Sequence, residues 1–316
     1  MNRAQCCQSP DSCVQPWNNI GTASTRPSHV RALACTIALV PVDHYENFPV
    51  ASFLCPPALR PAVVAIYHYA RTADDIADEG DATTSQRVAD LHAYRSDLRL
   101  TLAGQPASNR WPQVFKPLQQ RIAQFNLPSQ PLHDLLDAFE QDVQNPSYPD
   151  RATLLDYCRR SANPVGRLLL HLYGIDDAKS LAQSDAVCTA LQLINFWQDL
   201  SVDGPNDRCY VPETDRVAHQ VPAGDLAAAR DSVAARQLVA SLCDWARSLM
   251  HEGAPLATRV PGRAGWELRG VVAGGLRILH RIKAVDHAAL AQRPALRASD
   301  MPWLVWRAAT LKQIKA

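Results

Sequence analysis

From about residue 56 onward, the apolar positions of this chain recur at a helical period. Val63, Ile66, Tyr67 and Ala70 fall at three- and four-residue steps behind Pro57 and Pro61, which suit a helix entry. The same spacing predicts further helices near residues 85–103, 114–124, 131–143, 154–172, 181–202, 227–252, 266–284 and 303–314. Breakers separate them, among them NPSYPD at 145–150 and VDGPNDR at 202–208. No strand-like alternation and no fixed repeat stands out, which predicts one all-α domain over residues 41–316. Residues 1–40 are rich in Ser, Pro, Asn and Gln, lack periodicity, and read as a poorly ordered extension. Within 154–172 the run SANPVG puts Pro164 inside a helix, between Asn163 and Gly166. That predicts a kink, either accommodated in the core or forming a wall where freed carbonyls face a ligand.

Composition narrows the partners. Lys and Arg number 32 against 31 for Asp and Glu, a balance without the basic excess that nucleic-acid binding requires. No apolar run reaches the roughly 18 residues of a spanning helix, and the N-terminus lacks the pattern of a secretory signal, so a soluble cytoplasmic protein is expected. The nine cysteines are scattered, which suits a reduced compartment. Cys6, Cys7 and Cys13 cluster without a C-x-x-C pair or a neighbouring His. Near the C-terminus Trp303, Trp306, Arg307, Lys312 and Lys315 suggest a helix that either docks on the body or makes peripheral contact with the inner membrane.

The chemistry is carried by acids at the ends of apolar helices. RTADDIADEG, at 71–80, packs four acids between Asp74 and Glu79 directly after the apolar stretch PAVVAIYHYA. LQLINFWQDLSVD, at 191–203, carries Asn195, Asp199 and Asp203 four residues apart, a ladder on one helix face with about 6 Å per step. A helix C-terminus already bears partial negative charge, so extra carboxylates there are unfavourable unless a cation compensates. The ladder offers only oxygen donors, which selects Mg²⁺ over Zn²⁺, and Mg²⁺ held by few carboxylates commonly bridges to substrate phosphate. Arg71 lies one turn before Asp74, and Arg208 and Tyr210 follow the second cluster. The two arginines are placed to form salt bridges with the acids or to donate to phosphate oxygens.

These stretches resemble those of a known family. IYHYARTADDIAD (66–78) and LINFWQDLSVD (193–203) look like the two aspartate-rich motifs of the squalene and phytoene synthases. DYCRRSANPVGRLLL (156–170) and RCYVP (208–212) are similar to two further motifs of that family. DHYENFPVASFLCP (43–56) and GVVAGGLRILHRI (270–282) resemble one bacterial branch, the hydroxysqualene synthases of hopanoid biosynthesis. The resemblance implies the all-α isoprenoid synthase fold around a central cavity, Mg²⁺, and presqualene diphosphate or farnesyl diphosphate as substrate. Carried over by position, it implies metal ligands at Asp74, Asp75, Asp78, Asn195, Asp199 and Asp203. It also implies diphosphate contacts from Arg71, Arg208 and Tyr210, and substrate contacts from Asn163, Gly166 and Phe196. Phe48, Tyr67 and Tyr157 would line the reaction chamber beside Arg71 and Asn195.

Two departures favour a partial-reaction enzyme. Tyr45, Glu46 and Asn47 stand where condensing relatives carry a hydroxyl residue and often a lysine, and Ala273, Gly274 and Gly275 stand where they often carry a tyrosine. The expected reaction is ionisation of presqualene diphosphate, rearrangement, and capture by water to give hydroxysqualene. No strand followed by G-x-G-x-x-G is present, and no nicotinamide is expected. Condensation of two farnesyl diphosphates is the alternative; a non-catalytic scaffold on the same fold is the remote one.

Overall fold

The computed structural model describes residues 54–310, and every regular element among them is helical. The first four helices are α1 (Arg60–Asp78), α2 (Thr84–Leu102), α3 (Pro112–Phe125) and α4 (Ser129–Gln144). Pro61 occupies the first turn of α1, where its missing N–H costs nothing. A capping box opens α2: Thr83 Oγ1 accepts from Gln86 N at 3.3 Å, and Gln86 Oε1 accepts from Thr83 N at 2.9 Å. Ala62, Ile66, Tyr69, Ala70, Ala73 and Ala77 form the inner face of α1 and pack against α2, α3 and α4 around Tyr94, Phe115 and Leu136. The two buried phenols are satisfied, Tyr69 donating to the Leu132 carbonyl at 2.8 Å and Tyr94 to the Tyr69 carbonyl at 2.9 Å.

Next come α5 (Arg151–Ser161), α6 (Asn163–Leu172), α7 (Ala178–Gln198) and the single turn α8 (Leu200–Asp203). The expected single helix over 154–172 is two helices. The chain leaves helical geometry at Ala162 (φ −115°, ψ −49°), and Pro164 enters the first turn of α6, where its ring no longer clashes with a preceding carbonyl. The helix expected at 181–202 begins earlier, because Asp177 accepts from Ser180 N and caps it at 178. It is interrupted at Asp199 before α8 resumes. The chain continues through α9 (Glu213–Ala218), α10 (Ala223–Ala227), α11 (Val233–Gly253), α12 (Leu256–Arg259), α13 (Gly262–Ala284) and α14 (Met301–Thr310). The helix expected at 227–252 starts later, at Val233, where Ser232 caps it by accepting from Ala235 N.

Helix α7 is the axis of the second core. Every residue from Ala186 to Gln198 is buried, as a helix enclosed on all sides by α5, α6, α11 and α13 requires. Small residues allow the close approach. A Cβ added at Gly253 of α11 would lie 2.5 Å from the Gln183 carbonyl oxygen and 2.6 Å from Val187 Cγ2, both on α7.

Candidate active site

The two acidic groups meet. On α1, Asp74 and Asp78 share one face a turn apart, and both side chains are buried. Arg71, one turn earlier, donates to Asp74 at 3.3 Å and pairs with Asp75 at 2.7 Å and Glu79 at 2.6 Å. Tyr67 lies one turn before Arg71 on the same helix, half-buried. Asp199 and Asp203 are buried at the junction of α7 and α8. Their backbone keeps the helical ladder, with Asp199 N bonded to the Asn195 carbonyl at 2.9 Å and Asp203 N to the Asp199 carbonyl at 2.8 Å. Arg208 joins the groups across 130 residues. Its backbone N–H donates to the Asp203 carbonyl at 3.0 Å, and its guanidinium reaches Asp78 Oδ2 at 3.4 Å.

The turn carrying Arg208 is pinned from below. Asn145, which ends α4 in the left-handed region (φ 45°), donates through its side chain to the Asp207 carbonyl at 2.7 Å. Glu213 N and Thr214 N bond the carbonyls of Tyr148 and Pro149, and Arg151 forks onto Asp215 at 2.6 and 3.0 Å.

Behind the ladder lies a ring cluster. Phe196 and Tyr210 stack face to face with centroids 3.8 Å apart and planes 2° from parallel. Tyr148 and Tyr157 pack around them at 5.7 and 6.0 Å from Tyr210. The Tyr157 hydroxyl donates to Asp142 Oδ2 at 3.0 Å.

Electrostatics mark the same place. Burial pushes Asp203 up to about 7, with the neighbouring Asp199 charge pushing the same way and Arg208 and Arg293 opposing. Burial also raises Asp78, against the pull of Arg208. Asp142 rises to about 7, again by burial, although the hydrogen bond from Tyr157 pulls the other way. The six acids of the two groups (Asp74, Asp75, Asp78, Glu79, Asp199, Asp203) therefore share the charges of three guanidiniums, those of Arg71, Arg208 and Arg293, and Asp142, outside both groups, feels that of Arg208.

The residues present fit a hard divalent cation. The donors are all oxygen, and two buried oxygens, Asp78 Oδ1 and Asn195 Oδ1, have no hydrogen-bond partner. Among the described residues, no three His, Cys, Asp or Glu side chains converge to hold an ion by themselves.

Two further expected site residues lie where α6 crosses α7. Asn163 is buried at the start of α6 and accepts from Thr189 Oγ1 of α7 at 3.0 Å. Gly166 lies against α7, where a Cβ would come within 2.4 Å of Ser184 Oγ, so both stand at the α6–α7 crossing. Phe48, Tyr45, Glu46 and Asn47 lie outside the described residues, as do the N-terminal extension and its cysteines and Lys312 and Lys315. Gly275 is a packing position, since a Cβ there would meet Met250 Cε at 2.8 Å and Leu191 Cδ2 at 3.1 Å.

Three residues of the site escaped the sequence reading. Arg293 comes from the stretch between α13 and α14 and forks onto Asp199, with Nη2 to Oδ2 at 3.4 Å; next to it the Pro294 carbonyl accepts from Gln198 at 2.7 Å. Asp142 and Tyr148 belong to the end of α4 and the loop after it. An acid in the last turn of an amphipathic helix looks solvated in sequence, and an arginine in a helix-free stretch carries no period to place it.

Comparison with known proteins agrees with this geometry. Residues 42–300 match the model of the squalene/phytoene synthase family. A hydroxysqualene synthase of Zymomonas mobilis is 39% identical over 209 residues, covering 65% of this chain and 67% of the relative. A hydroxysqualene synthase of Rhodopseudomonas palustris is 34% identical over 245 residues, covering 76% and 80%. The crystal structure of squalene synthase HpnC from Alicyclobacillus acidocaldarius superposes with a TM-score of 0.71 at 36% identity, covering 82% of this chain and 93% of that one. With both aspartate-rich helices, the Arg208 turn and the ring cluster assembled in the order the family model spans, this chain belongs to the squalene/phytoene synthase family.

Proposed function

We propose that this protein is a hydroxysqualene synthase: it ionises presqualene diphosphate, rearranges the resulting carbocation and lets water capture it. The contact between Arg208 and Asp78 carries the proposal, because it brings the two acidic groups to one place beside a ring cluster. Asp74, Asp75 and Asp78 from α1 and Asn195, Asp199 and Asp203 from α7–α8 would hold Mg²⁺. When bound, the metal supplies positive charge that favours loss of diphosphate.

The chain's own groups do the rest. Arg71 and Arg208 exchange carboxylate partners for diphosphate oxygens, as planar guanidiniums do well, and stabilise the charge that builds on the leaving group. Tyr210, two residues after Arg208, stacks its ring on Phe196 in the cluster. The faces of Tyr67 and Tyr157 attract the carbocation and hold it away from premature capture, with Phe196, whose face is covered by Tyr210, backing Tyr157. The hydrocarbon chain of the substrate also supports peripheral membrane contact of an otherwise cytoplasmic protein. On α14 the outward positions Val305 and Trp306 are 64% and 58% exposed, and no described helix is long and apolar enough to cross a bilayer.

The experiment is incubation of the purified chain with labelled presqualene diphosphate and, separately, farnesyl diphosphate, each with Mg²⁺. Diphosphate release and a C30 alcohol from the first substrate are expected. Consumption of farnesyl diphosphate with presqualene diphosphate left intact would overturn the proposal.

A further inference from the structure

Asp142 stands outside both acidic groups, in the last turn of α4, yet its carboxylate reaches the ring cluster. Oδ2 accepts from the buried Tyr157 hydroxyl at 3.0 Å, and among the described residues no other hydrogen bond and no ion pair reaches the carboxylate. Its nearest basic residues act only at a distance: Arg208, which pairs with Asp78, and Arg160, which bonds Gln141 and Asp156. The side chain is half-buried while the rings beside it, Tyr148, Tyr157 and Tyr210, are buried. For structure alone this is a poor choice. An unpaired carboxylate among rings costs desolvation, and an amide would accept the same phenol hydrogen bond without a charge. One oxygen is held in place by the phenol, and the other is left with its lone pairs available.

We infer that Asp142 is the base for the hydration step: its Oδ1 takes the proton of the water that captures the carbocation, and Tyr157 positions it. The inference rests on the proposed function. In the step, a lone pair of the water oxygen forms the new C–O bond to the cationic carbon. One O–H bond of that water breaks, its electron pair staying on oxygen, and the proton moves to Asp142, which becomes a neutral acid. Nothing is oxidised or reduced, and the proton returns to solvent after product leaves. The carboxyl's rise to about 7 is consistent with a group that gains and loses a proton near neutrality.

The test reads how products partition. The full chain and its Asp142→Asn, Asp142→Glu and Tyr157→Phe variants are given presqualene diphosphate and Mg²⁺. Alcohol and hydrocarbon products are quantified per diphosphate released, so a general loss of activity cancels. Asp142→Asn is expected to lower the alcohol fraction at least tenfold in favour of hydrocarbons formed by proton loss from carbon. Tyr157→Phe should lower it several-fold, and Asp142→Glu should restore part of it. An unchanged alcohol fraction in Asp142→Asn overturns the inference. Should that variant not fold, an unchanged fraction in Tyr157→Phe does so instead. If the unmodified chain makes no alcohol at all, the proposed function falls and this inference with it; if it makes alcohol and the variants match it, only the inference falls.

Discussion

Replacing Asp203 by Asn should stabilise the protein in alkaline buffer while removing a candidate metal ligand. The side chain is buried beside Asp199, and its pKa rises from an ordinary 3.8 to about 7, chiefly through burial and then through the Asp199 charge. A folded-state value above the unfolded one means that the folded protein retains a proton the unfolded chain has released. The group's favourable contribution is complete below 3.8 and is lost as pH rises through 7. Each pH unit between the unfolded and folded values corresponds to about 1.4 kcal/mol, so the ionised carboxylate costs the fold up to about 4 kcal/mol above neutrality, with water penetration lowering this. Between pH 5 and pH 8 the cost grows by about 2–3 kcal/mol. Asn has nearly the same shape and no titration. The difference in unfolding free energy between Asp203→Asn and the unmodified chain should therefore move by about that amount in favour of the variant across this range. Urea unfolding at pH 5, 6, 7 and 8 with EDTA present measures it, and equal slopes m for both proteins make the comparison valid. A difference that is flat with pH, or one that moves against the variant as pH rises, would refute the reasoning. Added Mg²⁺ and inorganic diphosphate should raise the melting temperature of the unmodified chain and leave the variant nearly unmoved.

Gly253→Ala forces a methyl to within 2.5 Å of the Gln183 carbonyl on a buried helix contact. It should cost about 1–3 kcal/mol and lower the melting temperature by several degrees in a thermal scan. Asp300 is fully buried and accepts from Arg277 and Arg281 at 2.7 Å each, while its other oxygen takes the Arg297 N–H at 2.8 Å. Asp300→Asn should destabilise by about 3 kcal/mol and expose the α13–α14 contact to amide hydrogen exchange. Asp74→Asn and Asp199→Asn should each cut diphosphate release at least a hundredfold and raise the Mg²⁺ concentration needed for half-maximal rate; rates within threefold of the unmodified chain would remove both from the metal site. Exhaustive chelation should abolish diphosphate release and Mg²⁺ should restore it, as a coupled assay for inorganic diphosphate would record.

The all-helical class, the order of the elements and both acidic groups could be read from residue spacing, because each is a local property. Apolar residues at three- and four-residue steps define a helix face, and Asp199 lies one turn from Asp203 whatever else the chain does. Even the misplaced boundaries have local causes, since Ala162, Ser232 and Asp177 change backbone state or cap a helix. What spacing cannot supply is which ends come together. Arg208 meets Asp78 across 130 residues, and Arg293 meets Asp199 across 94, through turns whose positions are set by packing along α7 and by the Asn145–Asp207 hydrogen bond. Asp142 is the sharpest case: in sequence it is one more acid on a helix end, and in the fold it is the acceptor of a buried tyrosine. Periodicity records which face of a helix avoids water. Burial, and with it the pKa of an acid and the partners of a guanidinium, depends on what the other helices bring to that face.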